Sequence, residues 1–106
     1  MPTEVEIGHA GEQVVVEWLR GKGYTIDRWD TQSSGSTDIE AHRATAHLLV
    51  QVKSSVHPNE PANLSSEEER NIKSRAARIG AVAWEARVKL DSSLNLMGDI
   101  MWRKLS

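Results

Sequence analysis

The sequence predicts an α/β domain with two helices and about five strands in the order αβββαββ. Two features predict the helices: apolar residues recur at helical spacing over residues 3–20, and Ser65 with Glu68 forms a capping box ahead of a second periodic stretch. A third feature predicts the sheet, because residues 47–53 and 81–90 are rich in apolar side chains over strand-like lengths.

The first half of the chain begins with a helix that Thr3 can cap and that ends at Gly21. Residues 24–30 alternate between apolar and polar side chains and predict the first strand. A short second strand is predicted over residues 37–41. The stretch 47–53 predicts a central strand, because its consecutive apolar residues Leu48, Leu49 and Val50 are typical of a strand buried on both faces.

The second half begins with the capped helix, which ends at Gly80. Residues 81–90 then alternate cleanly, so we expect a strand whose charged residues, such as Glu85 and Arg87, lie on a solvent-exposed face. The last strand is predicted over residues 94–105, with a bulge or kink at Gly98.

Composition limits the kind of protein that this chain encodes. The 106 residues are enough for one core, and we expect a single domain over residues 1–106. The chain contains no cysteine, which excludes disulfides, zinc–thiolate sites and thiol nucleophiles. It shows neither a signal-peptide pattern nor an apolar run of about 18–20 residues, so we expect a cytoplasmic protein with no membrane partner.

The net charge of -2 is spread unevenly, with acidic residues in excess over residues 1–63 and basic residues in excess over residues 64–106. Arg75 and Arg78 belong to a group of basic residues on the second helix, behind three glutamates. Such an order matches the helix dipole, and it equally suits a surface that faces phosphate groups. The sequence leaves both interpretations open.

Two polar residues do not fit a buried strand. Gln51 and Lys53 are two positions apart and therefore point to the same face of the sheet. If the preceding strand pairs with theirs as a hairpin, Asp38 lies beside them and a carboxylate, an amide and an ammonium group converge. The alternative is that the strand emerges from the sheet at its end, so that Lys53 is solvated.

These residues carry a resemblance to a known family. The segment 35–40 (GSTDIE), followed by the segment 51–53 (QVK) and preceded by a helix that bears Glu12, resembles the PD-(D/E)xK nuclease superfamily with its restriction-endonuclease-like fold. Within this superfamily the chain is most similar to the archaeal Holliday-junction resolvase branch. The resemblance implies a mixed central sheet of about five strands flanked by two helices.

The resemblance also implies roles for individual residues. Asp38 matches the metal-ligating aspartate, and Lys53 matches the lysine that orients or activates the attacking water. Glu12 matches the helix-borne carboxylate that completes the metal site. Gln51 stands where most members carry a second carboxylate, as in the variant motif of some Mrr-like and intron-encoded nucleases.

The same residue types suit metal-assisted hydrolysis of a phosphodiester independently of the resemblance. Such hydrolysis needs a hard divalent cation, and Mg²⁺ or Mn²⁺ favours carboxylate, carbonyl and amide oxygens. We expect Asp38, Glu12, the Gln51 side-chain oxygen and the Val52 carbonyl to form this ligand set.

Other polar residues near the motif have two interpretations each. Ser34 and Ser36 either contact a phosphate or serve the turn around Gly35. Glu40, two residues after Asp38, is either a relocated second carboxylate or a solvated side chain. The four histidines show no paired spacing, which argues against a histidine-rich metal site.

The sequence therefore predicts a magnesium-dependent endonuclease that acts on branched or structured DNA. We expect a homodimer, because two active sites are needed to cut two strands and one small domain offers little surface to DNA. No organic cofactor is expected. Two alternatives remain: a DNA-binding or accessory module with a weakened site, and an Mrr-like restriction or repair nuclease acting on duplex DNA.

Overall fold

The structure, a computed structural model, describes residues 2–29 and 38–106, and for Asp38 it describes the backbone only. The elements are α1 (Glu4–Gly21), β1 (Thr25–Trp29), β2 (Asp38–Arg43), β3 (Ala46–Val56), α2 (Ser66–Ile79), β4 (Val82–Leu90) and β5 (Met101–Lys104). Their order is the predicted αβββαββ, and the predicted α/β class is confirmed.

Both helices begin where the sequence predicts, at reciprocal capping boxes. The Thr3 side chain accepts a hydrogen bond from the Glu6 backbone, and the Ser65 side chain accepts one from the Glu68 backbone. Gly80 ends α2 in the left-handed region with a φ of 73°. In the described part of the chain, neither helix is long and apolar enough to cross a bilayer.

The five strands form one mixed sheet in the order β1-β2-β3-β4-β5. The first three make an antiparallel meander, β4 runs parallel to β3, and β5 is antiparallel to β4. The helix α2 supplies the crossover that two parallel neighbours require. β3 is the central strand, as predicted, but it spans 11 residues and so extends beyond the predicted stretch at both ends.

The last strand is shorter than predicted. Residues 94–105 were expected to be extended, whereas β5 covers only Met101–Lys104. The chain before it turns tightly, because the Asp91 carboxylate accepts hydrogen bonds from the backbone N–H groups of Ser93 and Asn95. Leu94 takes a left-handed φ of 66° in this turn.

The two helices cover opposite faces of the sheet and bury two separate apolar clusters. On one face, α1 packs against a core that includes the residues Val15, Val16, Leu19, Ile39, Ala41, Val50, Ala86, Val88 and Leu90. On the other, α2 buries a smaller cluster of Leu49, Leu64, Ile72, Ala76, Ala83 and Leu105. We call this second side the α2 face; Gln51 and Lys53 point towards it, in phase with Leu49.

A glycine lets α1 lie directly on the central strand. A side-chain carbon added to Gly11 would lie 2.6 Å from the Cβ atom of Ser54 and 3.6 Å from Val52. The Ser54 hydroxyl also donates a hydrogen bond to the Ile7 carbonyl at 3.0 Å. This close approach determines where the next residue, Glu12, sits relative to β3.

We predict that Gly11→Ala destabilises the protein by about 1–3 kcal/mol, the usual effect of overpacking, because the Cβ atom of Ser54 cannot rotate away. Gly8→Ala on the same helix is the matched control, since nothing lies within 4 Å of the added carbon; it should stabilise by about 0.5–1 kcal/mol. Urea unfolding followed by circular dichroism measures both. Equal effects of the two substitutions would contradict the close approach, whereas adding Ser54→Gly to Gly11→Ala should recover part of the loss.

Candidate active site

The register of the sheet places three polar residues in one row across three strands. Asp38 on β2 lies opposite Gln51 on β3, and Gln51 lies opposite Glu85 on β4. The hairpin pairing expected from the sequence is therefore present in the backbone. The register therefore sets the backbones of these three residues side by side across β2, β3 and β4.

Gln51 is the most unusual residue of this row. Its side chain is 2% exposed, and its Oε1 atom has no hydrogen-bond partner among the described residues. A buried carbonyl oxygen without a partner costs about 1–3 kcal/mol, and such groups in native proteins usually bind a water, an ion or a ligand. An amide oxygen is also among the ligands that Mg²⁺ accepts, so the group fits a divalent cation.

Lys53 is held by an acidic residue of α2. Its Nζ atom donates a hydrogen bond to Glu68 Oε2 at 2.8 Å, and the other oxygen of Glu68 accepts from the Ser65 backbone at 2.9 Å. The hydrogen bond from Lys53 lowers the pKa of Glu68. The side chain of Lys53 is 30% exposed, so β3 does not simply emerge into solvent there. The ammonium group is kept on the α2 face, one pleat from Gln51.

Glu85 corrects the prediction of a solvent-exposed face on β4. It is fully buried at 0% exposure, because α2 and the segment before it cover this part of the strand. Both its oxygens accept hydrogen bonds from Arg103, at 3.2 and 3.0 Å, and Oε2 also accepts from the Leu64 backbone at 2.8 Å. Burial raises the pKa of Glu85, but the bonds from Arg103 and Leu64 outweigh it and the pKa lies below its ordinary value. This carboxylate stabilises the fold, and both of its oxygens are already bound by Arg103 and Leu64.

A basic cavity opens beside Gln51. It has a volume of about 320 Å³ and is lined by Gln51, Glu68, Asn71, Ser74, Arg75 and Arg78. Burial of the Arg75 guanidinium lowers its pKa, and the nearby charges of Arg28 and Arg78 lower it further. Arg75 and Arg78 thus lie next to the buried amide, and Arg28 lies near enough to Arg75 to affect its pKa. This arrangement concentrates positive charge on α2. For these basic residues the sequence allowed two interpretations, a match to the helix dipole or a surface that faces phosphate groups.

Glu12 approaches the same end of the sheet from the opposite face. Its Oε1 atom accepts a hydrogen bond from Trp29 Nε1 at 3.1 Å. Trp29 lies opposite Ile39, the residue after Asp38. Gly11, the residue before Glu12, packs on Val52 and Ser54, so two contacts place this carboxylate near the end of β2.

The structure describes one of the three remaining predicted site residues, Val52, and does not describe Ser34 and Ser36. Val52 follows Gln51 on β3 and lies opposite Ala86 on β4; in the described part of the chain, β3 pairs with β2 only as far as Gln51. Ser34 and Ser36 lie outside the described residues. The structure thus brings Gln51, Lys53, Arg75 and Arg78 to the α2 face and puts the Asp38 backbone beside them, while Glu12 comes from the α1 side.

Sequence reasoning missed the residues that hold this site together. Glu68 was identified only as a helix cap and Glu85 only as a surface residue. The one available signal was the register of β4, since a parallel partner for β3 would put Glu85 level with Gln51. The sequence also did not reveal a cluster of possible metal ligands formed by Asp27, Glu40 and His47, whose ligand atoms lie within 4.8 Å of one another. It comes from three strands, so no spacing along the chain reveals it.

Comparison with known proteins was made against family models, curated sequences and solved structures. No family model and no curated protein matches the chain. Among solved structures, the Holliday junction resolvase Hjc of the archaeal hyperthermophile Archaeoglobus fulgidus superimposes with a TM-score of 0.71, covering 92% of this chain and 72% of that chain. The chain has the fold of this archaeal resolvase. The restriction-endonuclease-like architecture expected from the sequence is therefore confirmed, although the two sequences are only 21% identical.

We predict that Glu85 stabilises the Hjc-like fold in a pH-dependent way. Its folded-state pKa is lowered, so its contribution is present above the unfolded value of about 4.3 and is lost as pH falls through the folded pKa. At neutral pH Glu85→Gln should therefore lower the free energy of unfolding, and this difference from the unsubstituted protein should shrink below about pH 4. Urea unfolding at a series of pH values tests this, with the exposed Glu67→Gln as control. A difference that stays constant with pH would show that the carboxylate charge is irrelevant.

Proposed function

We propose that this protein is a divalent-metal-dependent endonuclease that hydrolyses phosphodiester bonds in branched DNA. The observation that carries the proposal is the buried Gln51 Oε1 atom, which no donor in the described part of the chain reaches and which lies in register with Asp38 and one pleat from Lys53. The Hjc-like fold supports it, because the Archaeoglobus protein is a Holliday junction resolvase.

The cation site consists of oxygen ligands. Asp38, the Gln51 Oε1 atom, the Val52 carbonyl and Glu12 would hold Mg²⁺ or Mn²⁺, which neutralises charge on the phosphate and lowers the pKa of an attacking water. Gln51 contributes a dipole where an acidic residue would contribute a full charge. The proposal therefore includes a lower affinity for Mg²⁺ than an all-carboxylate site would have.

Lys53 orients the reacting groups and offsets negative charge. Its ammonium group is restrained by Glu68, which limits the orientations of the lysine side chain before DNA binds. Arg75 and Arg78 on the wall of the cavity are placed to contact phosphates that flank the scissile bond. These arginines position the DNA backbone and do not read base sequence.

DNA and a second copy of the chain are the proposed partners. The net charge of -2 limits electrostatic attraction, so we expect one domain to bind duplex DNA weakly and with strong salt dependence. A symmetric homodimer would double the contact surface and supply one active site for each cut strand. Sedimentation equilibrium with and without a four-way junction tests the dimer.

We predict that Lys53→Ala lowers the cleavage rate by about 10²–10⁴-fold and that Asp38→Ala abolishes cleavage. Lys89→Ala is the matched control, because Lys89 is also a strand lysine paired with a glutamate, Glu60, at 2.6 Å. The assay compares a four-way junction, nicked, single-stranded and linear duplex DNA with Mg²⁺ or Mn²⁺, after circular dichroism has shown that each variant is folded.

Each outcome of this assay separates the alternatives. Symmetric cuts in the junction that Lys53→Ala removes support a resolvase. Equal cutting of all substrates would indicate a general nuclease in place of a resolvase. Binding of the junction without any cutting would overturn the enzymatic proposal and leave an accessory DNA-binding module.

We predict that Gln51→Glu raises the affinity for Mg²⁺, because it adds a carboxylate at the unpaired oxygen of Gln51. Isothermal titration calorimetry measures the dissociation constant, and Asn71→Asp is the control, since it adds a carboxylate to the same cavity from α2. An equal gain in both variants would show that general negative charge, and not the position of residue 51, determines binding. No Mg²⁺ or Mn²⁺ heat in any form of the protein would refute the metal site.

A further inference from the structure

A second cluster of metal-ligating side chains lies on the first three strands of the sheet. Asp27 on β1, Glu40 on β2 and His47 on β3 each offer one ligand atom, and these atoms all lie within 4.8 Å of one another. The Nε2 atom of His47 is 2.7 Å from Glu40 Oε2. Among the described residues, α2 packs closely on β3 and β4 and not on β1 or β2, so it leaves the β1 and β2 part of this face uncovered.

The backbone brings these side chains together in a specific way. His42 and His47 are directly opposed on β2 and β3, and Glu40 lies one pleat from His42 on the same side of the sheet. The β1–β2 register shifts between Ile26 and Arg28, which leaves Asp27 as the extra residue. Such an irregularity re-aims a side chain, and here Asp27 reaches His42 on the neighbouring strand.

The two carboxylates are close together, and among the described residues their partners are imidazoles and not lysine or arginine. Asp27 pairs with His42 at 2.8 Å, and Glu40 pairs with His47. Like charges on neighbouring strands repel. A bound cation would remove this repulsion. The side chains of Glu40 and His47 are partly buried, at 25% and 27% exposure, whereas Asp27 is an exposed residue whose side chain keeps 32% of its accessible surface.

We propose that Asp27, Glu40 and His47 form a binding site for one divalent first-row transition ion, Zn²⁺ or Mn²⁺. Ligands at about 2.0–2.2 Å from one ion lie at most about 4.4 Å apart, which small side-chain rotations reach from the observed geometry. One imidazole with two carboxylates suits these ions, whereas Mg²⁺ prefers a shell of oxygen atoms only. The fourth position is left for water.

His42 is a positioning residue for this site. Its Nδ1 atom lies 2.8 Å from both oxygens of Asp27, so it restrains the carboxylate from outside the ligand set. Outer partners of this kind typically change metal affinity by about 10–100-fold. The site does not depend on the proposed nuclease centre, because none of its three ligands belongs to that centre.

The bound ion would link β1, β2 and β3 through their side chains. An ion that binds the folded protein and not the unfolded chain raises the melting temperature as its concentration increases. We therefore expect Zn²⁺ to stabilise the protein against heat even when the nuclease centre is disabled.

Isothermal titration with Zn²⁺, Mn²⁺ and Mg²⁺ tests the site in an Asp38→Asn background, which removes the proposed nuclease ligand. We expect the background protein to bind one equivalent of Zn²⁺, which raises its melting temperature. Zn²⁺ binding should be lost in His47→Gln and in Asp27→Asn, and the Zn²⁺ affinity should fall about 10–100-fold in His42→Asn. The control is His57→Gln, an exposed histidine outside the cluster, which should bind as the background does.

Electron paramagnetic resonance with Cu²⁺ provides a readout that folding defects do not imitate. Cu²⁺ binds such sites more tightly than the other divalent ions of the series, and coordination by His47 should give nitrogen hyperfine splitting that disappears in His47→Gln. Zn²⁺ binding that survives both His47→Gln and Asp27→Asn, or no Zn²⁺ binding in the background protein, would overturn the proposal. Loss of the site in Asp38→Ala alone, with Asp27 and His47 intact, would also overturn it, because the ion would then belong to the nuclease centre.

Discussion

The structure depends on the pairing of β3 with two different neighbours. β3 is antiparallel to β2 and parallel to β4, and in both pairings its residue Gln51 lies level with an acidic residue. A shift of either strand by one residue would move its side chains to the other face of the sheet. Because both faces are buried by helices, such a shift would place charged groups in the apolar cores, so the register is strongly determined.

Charge on the α2 face is arranged so that most carboxylates have a partner. Glu68 is bound by Lys53 and Ser65, and Glu85 is bound by Arg103 and Leu64. Within residues 2–29 and 39–106, these pairs leave the amide oxygen of Gln51 as a buried acceptor without a donor. The carboxylates that stabilise the fold and the proposed metal ligands are therefore different groups, although Glu85 lies beside Gln51 on the neighbouring strand.

The helices and the central strand were predictable because their signals are local. Capping boxes involve residues three apart, and both predicted helix starts are confirmed. The prediction for Glu85 was wrong because its signal was local and its environment is not. Alternation along β4 assigned Glu85 to solvent, but whether a strand face is exposed depends on what packs against it, and here α2 covers it.

The sequence by itself determined the order of elements, the α/β class and the spacing that brings Gln51 and Lys53 to one face, since these follow from side-chain periodicity and capping. Only the tertiary structure decided that Lys53 is restrained by Glu68, that Glu85 is a buried ion-paired residue, and that Asp27 meets Glu40 and His47. Each of these contacts joins residues from different elements. Their proximity follows from strand register and helix packing, which the local pattern of side chains does not specify.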